Sequence, residues 1–265
     1  MNIKTALVTG GSRGIGKGLS ERLLDQGFVV YSVSRSTDQG VSHQNFHPIQ
    51  LDLSDLSAVQ DFLSDFPSKQ EIPDLLINNA GYGAFFEWAR FPDQDLLDQA
   101  QVLFTAPALF CKAFAPPMAK RKSGVILNLS SLAVLYPLPY MPIYNAAKSA
   151  LSSLTHSLML EYETIPRLID FRMGDVRTSF NQSSLKQTVE LQTDKMKSAW
   201  DQIEKQLQDS PEPTVAVRQI IDTIFSGKRG TIYGGGFFQA KILPIADRIF
   251  SKSLIRKVLH KHYFN

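Results

Sequence analysis

Short apolar runs alternate with helix-period segments along the first two-thirds of this 265-residue chain, and that rhythm leaves few folds open. The strand-like runs lie at 5–9, 28–33, 47–51, 75–78, 125–129 and 168–172, with a last short one at 231–233. Helical segments fall between them at 14–26, 54–66, 92–118, 143–163 and 214–225. Short apolar strands separated by helices pack as a parallel sheet covered on both faces. Right-handed crossovers then give a doubly wound α/β fold. No repeat or Gly/Ser linker interrupts the series, so residues 1–240 are expected to form one domain.

Glycines punctuate the first strand-to-helix junction, Thr9-Gly10-Gly11-Ser12-Arg13-Gly14-Ile15-Gly16. Glycine there permits tight dihedrals and lets backbone approach a pyrophosphate, which a helix N-terminus attracts. The spacing is Gly-x-x-x-Gly-x-Gly rather than the commoner Gly-x-Gly-x-x-Gly. At the end of the second strand an acid would bind a ribose 2′-hydroxyl, and a cation a 2′-phosphate. Ser34-Arg35-Ser36 stands there, with no acid before Asp38 and with Arg13 nearby in the turn. Two guanidiniums and a hydroxyl favour NADP(H) over NAD(H). Asp52 and Leu53 are placed to meet the adenine, and Asn78-Asn79-Ala80-Gly81 to line the cofactor.

Tyr144 and Lys148 stand one helical turn apart. A free phenol ionises only near pH ~10. A neighbouring cation favours the phenolate, so the pair predicts a tyrosine able to donate or accept a proton near neutrality. Ser131 lies 13 residues earlier, after a strand. With Thr9-Gly10-x-x-x-Gly14-x-Gly16, Asn78-Asn79-Ala80-Gly81 and Ser130-Ser131, this pair makes the chain resemble the short-chain dehydrogenase/reductases over nearly its full length. The resemblance implies a Rossmann-type sheet and hydride transfer between a nicotinamide and a carbonyl or alcohol. It implies that Ser131 holds the substrate oxygen, Tyr144 is the acid/base, and Lys148 binds the nicotinamide ribose and biases Tyr144 toward ionisation. Thr9, Gly10, Ser12, Arg13, Gly14, Ile15, Gly16, Ser34, Arg35, Asp52, Leu53, Asn79, Ala80 and Gly81 would bind the cofactor, with Gly174, Val176 and Thr178 beside the nicotinamide amide. It also suggests a homodimer or homotetramer through the long helices, including 143–163.

Two positions depart from the family pattern. Ungapped counting places Leu103 where family members carry an asparagine that anchors a water relay to the lysine. Met173 replaces the proline of a usual Pro-Gly. The first departure leaves a second reading open, a catalytically weak NADP(H)-binding regulatory or scaffold protein.

The expected substrate side is apolar: Tyr82, Phe85, Phe86 and Trp88, then Leu132, Val134, Leu135, Tyr136 and Met141, with Met173 and Phe180 beyond. Such a cleft suits a hydrophobic ketone or its alcohol, although any of these residues could pack into the core instead. Residues 179–212 are polar and follow a strand's C-terminal end, which fits a helical lid or a solvated helix pair. The segment 241–265 carries six cations, Lys241, Arg248, Lys252, Arg256, Lys257 and Lys261, against one acid, Asp247. Apolar residues recur through it at helical spacing: Ile242, Ile245, Ile249, Phe250, Leu254, Val258 and Leu259. A basic amphipathic tail of this kind docks on its own domain or a neighbouring subunit, or lies on an anionic membrane surface. Nucleic acid and metal are not expected partners; His260 and His262 are read as solvated. The single cysteine, Cys111, predicts a core thiol, no internal disulfide and a reducing, cytoplasmic setting. Strand-like sequence begins by Thr5, which predicts no signal peptide, and no window is uninterruptedly apolar over a bilayer's thickness.

Overall fold

A computed structural model describes residues 4–36, 40–178, 180 and 184–264. Among these residues seven strands form one parallel sheet: β1 (Thr5–Thr9), β2 (Val29–Ser34), β3 (Phe46–Gln50), β4 (Leu75–Asn78), β6 (Val125–Ser131), β7 (Arg167–Met173) and β9 (Gly230–Gly234). Their spatial order is β3-β2-β1-β4-β6-β7-β9. The order reverses between β1 and β4, and open α/β sheets bind ligands beyond the carboxyl ends of strands at such a point.

Strand residues alternate between two cores. Ala6, Val8, Leu75, Ile77, Val125, Leu127, Ile169 and Phe171 face one, beneath α1 (Gly14–Asp25) and α7 (Pro213–Phe225). Leu7, Leu76, Ile126 and Leu168 face the other, beneath α2 (Leu56–Lys69) and α4 (Ala106–Lys120). This period-2 split, apolar on both sides, is why the central strands read as continuous hydrophobic runs. Cys111 is buried in the second core, as expected.

The helix expected over 92–118 is a compound element: α3 (Asp93–Ala100), a π-turn over Gln101–Thr105, and α4. The run Asp93–Lys120 is long and apolar enough to cross a bilayer by composition. Its apolar side chains Leu103, Phe110, Phe114 and Met118 are instead buried wholly in the protein, as in a core helix. The second helix starts at Leu56, two residues later than expected, because Asp55 caps it by accepting from the Ala58 N–H at 3.0 Å. β6 continues past residue 129 because Ser130 and Ser131 still pair with Arg172 and Met173.

A short strand β5 (Ala84–Phe85) pairs in parallel with β8 (Leu185–Lys186). Helix α6 spans Asp194–Gln208, and α5 (Pro142–Tyr162) carries the Tyr-Lys pair. A π-turn over Phe238–Ile242 leads into α8 (Leu243–Ile249) and then α9 (Lys252–Phe264).

One polar cluster sits between β6, β7 and α5. The Asp170 carboxylate is fully buried and accepts from Ser130 Oγ at 2.5 Å, Ser152 Oγ at 2.8 Å and Arg172 Nε at 2.9 Å. His156 Nε2 lies 3.3 Å away. A buried carboxylate is tolerable only with such partners. Arg172→Met is expected to cost about 3–5 kcal/mol, because it leaves that charge without its guanidinium. The double variant Asp170→Leu/Arg172→Met should recover much of the loss. Urea unfolding of both checks this; a double variant as unstable as the single one would refute it.

Candidate active site

A cleft of about 640 Å³ runs along the carboxyl ends of the strands, from the glycine turn to the start of α5. At one end Gly10 and Gly14 have φ of +72° and +55°, left-handed values that favour glycine. Gly16, in the first turn of α1, lies so close beneath the loop that a Cβ there would be 2.1 Å from the Gly10 carbonyl oxygen. The helix N-terminus therefore faces the cleft with bare backbone. Ser12, Arg13, Gly14, Ile15 and Gly16 line it, as do Ser34, Arg35, Asp52, Leu53, Asn79, Ala80 and Gly81. Arg13 and Arg35 are exposed to it. Asp38, weighed from sequence for the same corner, lies outside the described residues.

Thr9 was expected to touch the cofactor, but it is buried at 1% exposure behind the cleft wall. Its Oγ1 accepts from the N–H groups of Asn79 at 3.0 Å and Ala80 at 3.1 Å, while Asn79 Nδ2 donates to the Thr9 carbonyl at 2.9 Å. Thr9 thus fixes the 79–81 loop across the switch point. The cradle fits a dinucleotide: positive-φ glycines, a helix N-terminus for phosphate and two guanidiniums at the ribose corner.

At the other end Ser131, Tyr144, Lys148, Met173, Gly174, Val176, Thr178 and Phe180 all line the cleft. Ser131 ends β6, and its Oγ accepts from the Ala133 N–H at 3.1 Å. Tyr144 is half-buried in the first turn of α5, hydrogen-bonded to Ser131 and packed edge-on against Phe180 at 5.9 Å. Burial raises the phenol's pKa above its ordinary value, and the Asp175 charge adds to this; the Ser131 bond opposes both. Lys148 is 5% exposed, and its Nζ donates to the Leu129 carbonyl at 2.6 Å. Burial pushes its pKa down to about 8, partly offset by the Asp170 carboxylate.

Burial thus works against the expected shift of Tyr144 toward ionisation.

Leu103 is fully buried in the π-turn. A Cβ on Gly81 would lie 2.9 Å from Leu103 Cδ2 and 3.8 Å from Lys148 Nζ, so leucine and lysine flank the same glycine. Hydrocarbon stands where the family resemblance places an amide.

The expected substrate residues divide. Tyr82, Met141, Met173 and Phe180 line the cleft. Phe85, Leu132 and Val134 do not. Phe85 is fully buried among Tyr140 and Trp200, with ring centroids 5.3 and 4.9 Å away. Leu132 and Val134 form a 3₁₀ turn after β6 that leads the chain away. Phe86 packs on Phe91, Trp88 is exposed, and the Tyr136 hydroxyl donates to the Leu243 carbonyl at 2.7 Å. Sequence reasoning missed Leu138, Leu185, Ile203 and Leu207, which also line the cleft. Ile203 and Leu207 come from α6, so that helix forms part of the cleft wall. Their four-residue spacing, following Met196 and Ala199, was the available signal. Asp170 was missed as well, its only mark being a carboxylate inside an apolar strand.

Lys148 binds its proton less tightly when folded than its usual value of 10.5. From pH about 8 upward the unfolded chain holds more protons than the folded one, so stability rises with pH until about 10.5. The natural chain should gain a few kcal/mol relative to Lys148→Met across that window. Melts of both at each end of it test this; a difference constant with pH would refute it.

A sequence profile of the short chain dehydrogenase family matches residues 4–188. An oxidoreductase of Schizosaccharomyces pombe is 34% identical over 161 residues, 60% of this chain but only 55% of that protein. The match thus spans about half of that relative's length. A 3-ketodihydrosphingosine reductase of Bacteroides thetaiotaomicron is 28% identical over 258 residues, 96% of this chain and 93% of that one. A short-chain dehydrogenase from Streptomyces avermitilis superposes with a TM-score of 0.81 at 21% identity, covering 98% of this chain and 96% of that one. The chain belongs to the short-chain dehydrogenase/reductase family and is an oxidoreductase acting on CH–OH or C=O groups with a nicotinamide cofactor.

Proposed function

We propose that the chain interconverts a hydrophobic ketone and its secondary alcohol with NADP(H), using Tyr144 as the proton donor to the ketone oxygen. One observation carries the reading: a single cleft joins the Arg13–Arg35 corner to the half-buried Tyr144 phenol among apolar side chains. The relative matched from end to end is named for reducing 3-ketodihydrosphingosine, a ketone on a long hydrocarbon chain, which agrees with that apolar end.

Ser131 donates a hydrogen bond to the ketone oxygen and fixes it beside Tyr144. The cofactor, when bound, supplies hydride to the carbonyl carbon. Tyr144 gives its proton to the oxygen; positioned proton transfer of this kind is worth about 10²–10⁴ in rate. The phenolate left behind is stabilised by the cation of Lys148 one turn away. Leu138, Met141, Met173, Phe180, Ile203 and Leu207 exclude water and bury the substrate's hydrocarbon. At the far corner Arg13 and Arg35 take the 2′-phosphate.

Leu103 favours a second reading, a nucleotide-binding protein whose proton relay is broken. It predicts tight NADPH binding without turnover, and activity gained by Leu103→Asn.

Across a panel of apolar ketones, Tyr144→Phe should lower NADPH oxidation about 10²–10⁴-fold while leaving NADPH affinity nearly unchanged. Turnover unaffected by that substitution removes Tyr144 from the chemistry. Arg35→Ala should weaken NADPH about 10–100-fold, the loss of a charged phosphate contact, and leave NADH binding as it is. Equal effects on the two cofactors, measured by titrating their fluorescence, would refute the 2′-phosphate assignment.

A further inference from the structure

The segment after β9 keeps a large apolar face in water. Phe238, Ile242, Ile245 and Ile249 follow one another at steps of four, three and four residues, which is one helical face. They are 61, 41, 55 and 68% exposed. Phe237 and Phe250, at either end, are exposed too, as are Leu254 and Val258 one turn apart on α9. The opposite side of α9 buries Ile255 and Tyr263, and the helix packs against α6. Docking on its own domain thus accounts for one face of the tail and leaves the other bare. Apolar exposure gathered in one segment marks a surface of association.

Cations accompany it. Lys241, Arg248, Lys252, Arg256, Lys257 and Lys261 are all exposed, and Asp247, the one acid of residues 241–265, is paired with Lys252. We infer that residues 237–258 dock the protein on an anionic lipid bilayer, with the isoleucine–phenylalanine stripe sunk below the headgroups and the cations among them. Charge decides against a second copy of the chain as the occupant. A two-fold contact would press the same strongly basic patch against itself, whereas an anionic surface attracts it.

The surface adjoins the cleft. Gln239, in the exposed π-turn, donates through Nε2 to Asp175 Oδ2 at 2.6 Å and accepts from the Asp175 N–H at 2.9 Å. Asp175 lines the cleft beside Gly174. Docking therefore holds the cleft wall against the bilayer. If the function proposed above is correct, an apolar ketone dissolved in the membrane enters without crossing water; the docking itself does not rest on that function.

The test is co-sedimentation of the full chain with vesicles of phosphatidylcholine alone or mixed with phosphatidylserine. The natural chain should sediment with the mixed vesicles, weakly with the neutral ones, and less at high salt. Ile245→Glu/Ile249→Glu should abolish attachment. Arg256→Glu/Lys257→Glu should weaken it at least about tenfold, since each cation near the surface strengthens attachment about fivefold. Both variants should keep the natural melting temperature and NADPH affinity, so loss of attachment is separated from loss of fold or of cofactor binding. Three results would overturn the inference. One is no attachment to anionic vesicles, and another is attachment unchanged in both variants. The third is a natural chain that self-associates in sedimentation equilibrium while Ile245→Glu/Ile249→Glu does not, which would assign the face to a second copy.

Discussion

A parallel sheet buried on both faces has only its ends to offer to a ligand. Here the two faces are sealed by α1 and α7 on one side and by α2 and α4 on the other, with strand side chains alternating between the two cores. Backbone groups and short loops at the carboxyl ends are what remains. The reversal of strand order between β1 and β4 then parts the loops and opens a cleft at that point. Thr9 holds the opening to shape by tying the end of β1 to the loop after β4. The glycine turn, the Asn79–Gly81 loop, Ser131 and Gly174 are therefore neighbours in space, although they span more than half the sequence.

Burial also governs the chemistry of the cleft's far end. Taking a lysine out of water disfavours its charge, and taking a phenol out of water disfavours its anion. Lys148 and Tyr144 experience both effects within one helical turn, and each is pushed toward its neutral form. Asp170 opposes this for the lysine from inside the sheet, held by Ser130, Ser152 and Arg172.

Much of this was legible from local patterns. β1, β4 and the glycine turn were readable because composition, period and turn chemistry agree at those positions. Tyr144 and Lys148 were readable because a fixed spacing on a helix fixes a shared face. The ionisation state of Tyr144 was not, because it depends on desolvation by residues as distant as Phe180, and spacing carries no record of burial. Phe85 looked like a cleft residue by its place after β4. The pairing of β5 with β8, a contact across a hundred residues, turned it into the core beneath α6.

Helix α6 has work on two sides. Ile203, Gln206 and Leu207 face the cleft, while Ser198 donates to the Tyr263 carbonyl and Gln202 and Gln206 meet His262 on α9. Gln206 belongs to both sets. The cleft and the tail therefore share a wall one helix thick, with Gln206 in contact with both.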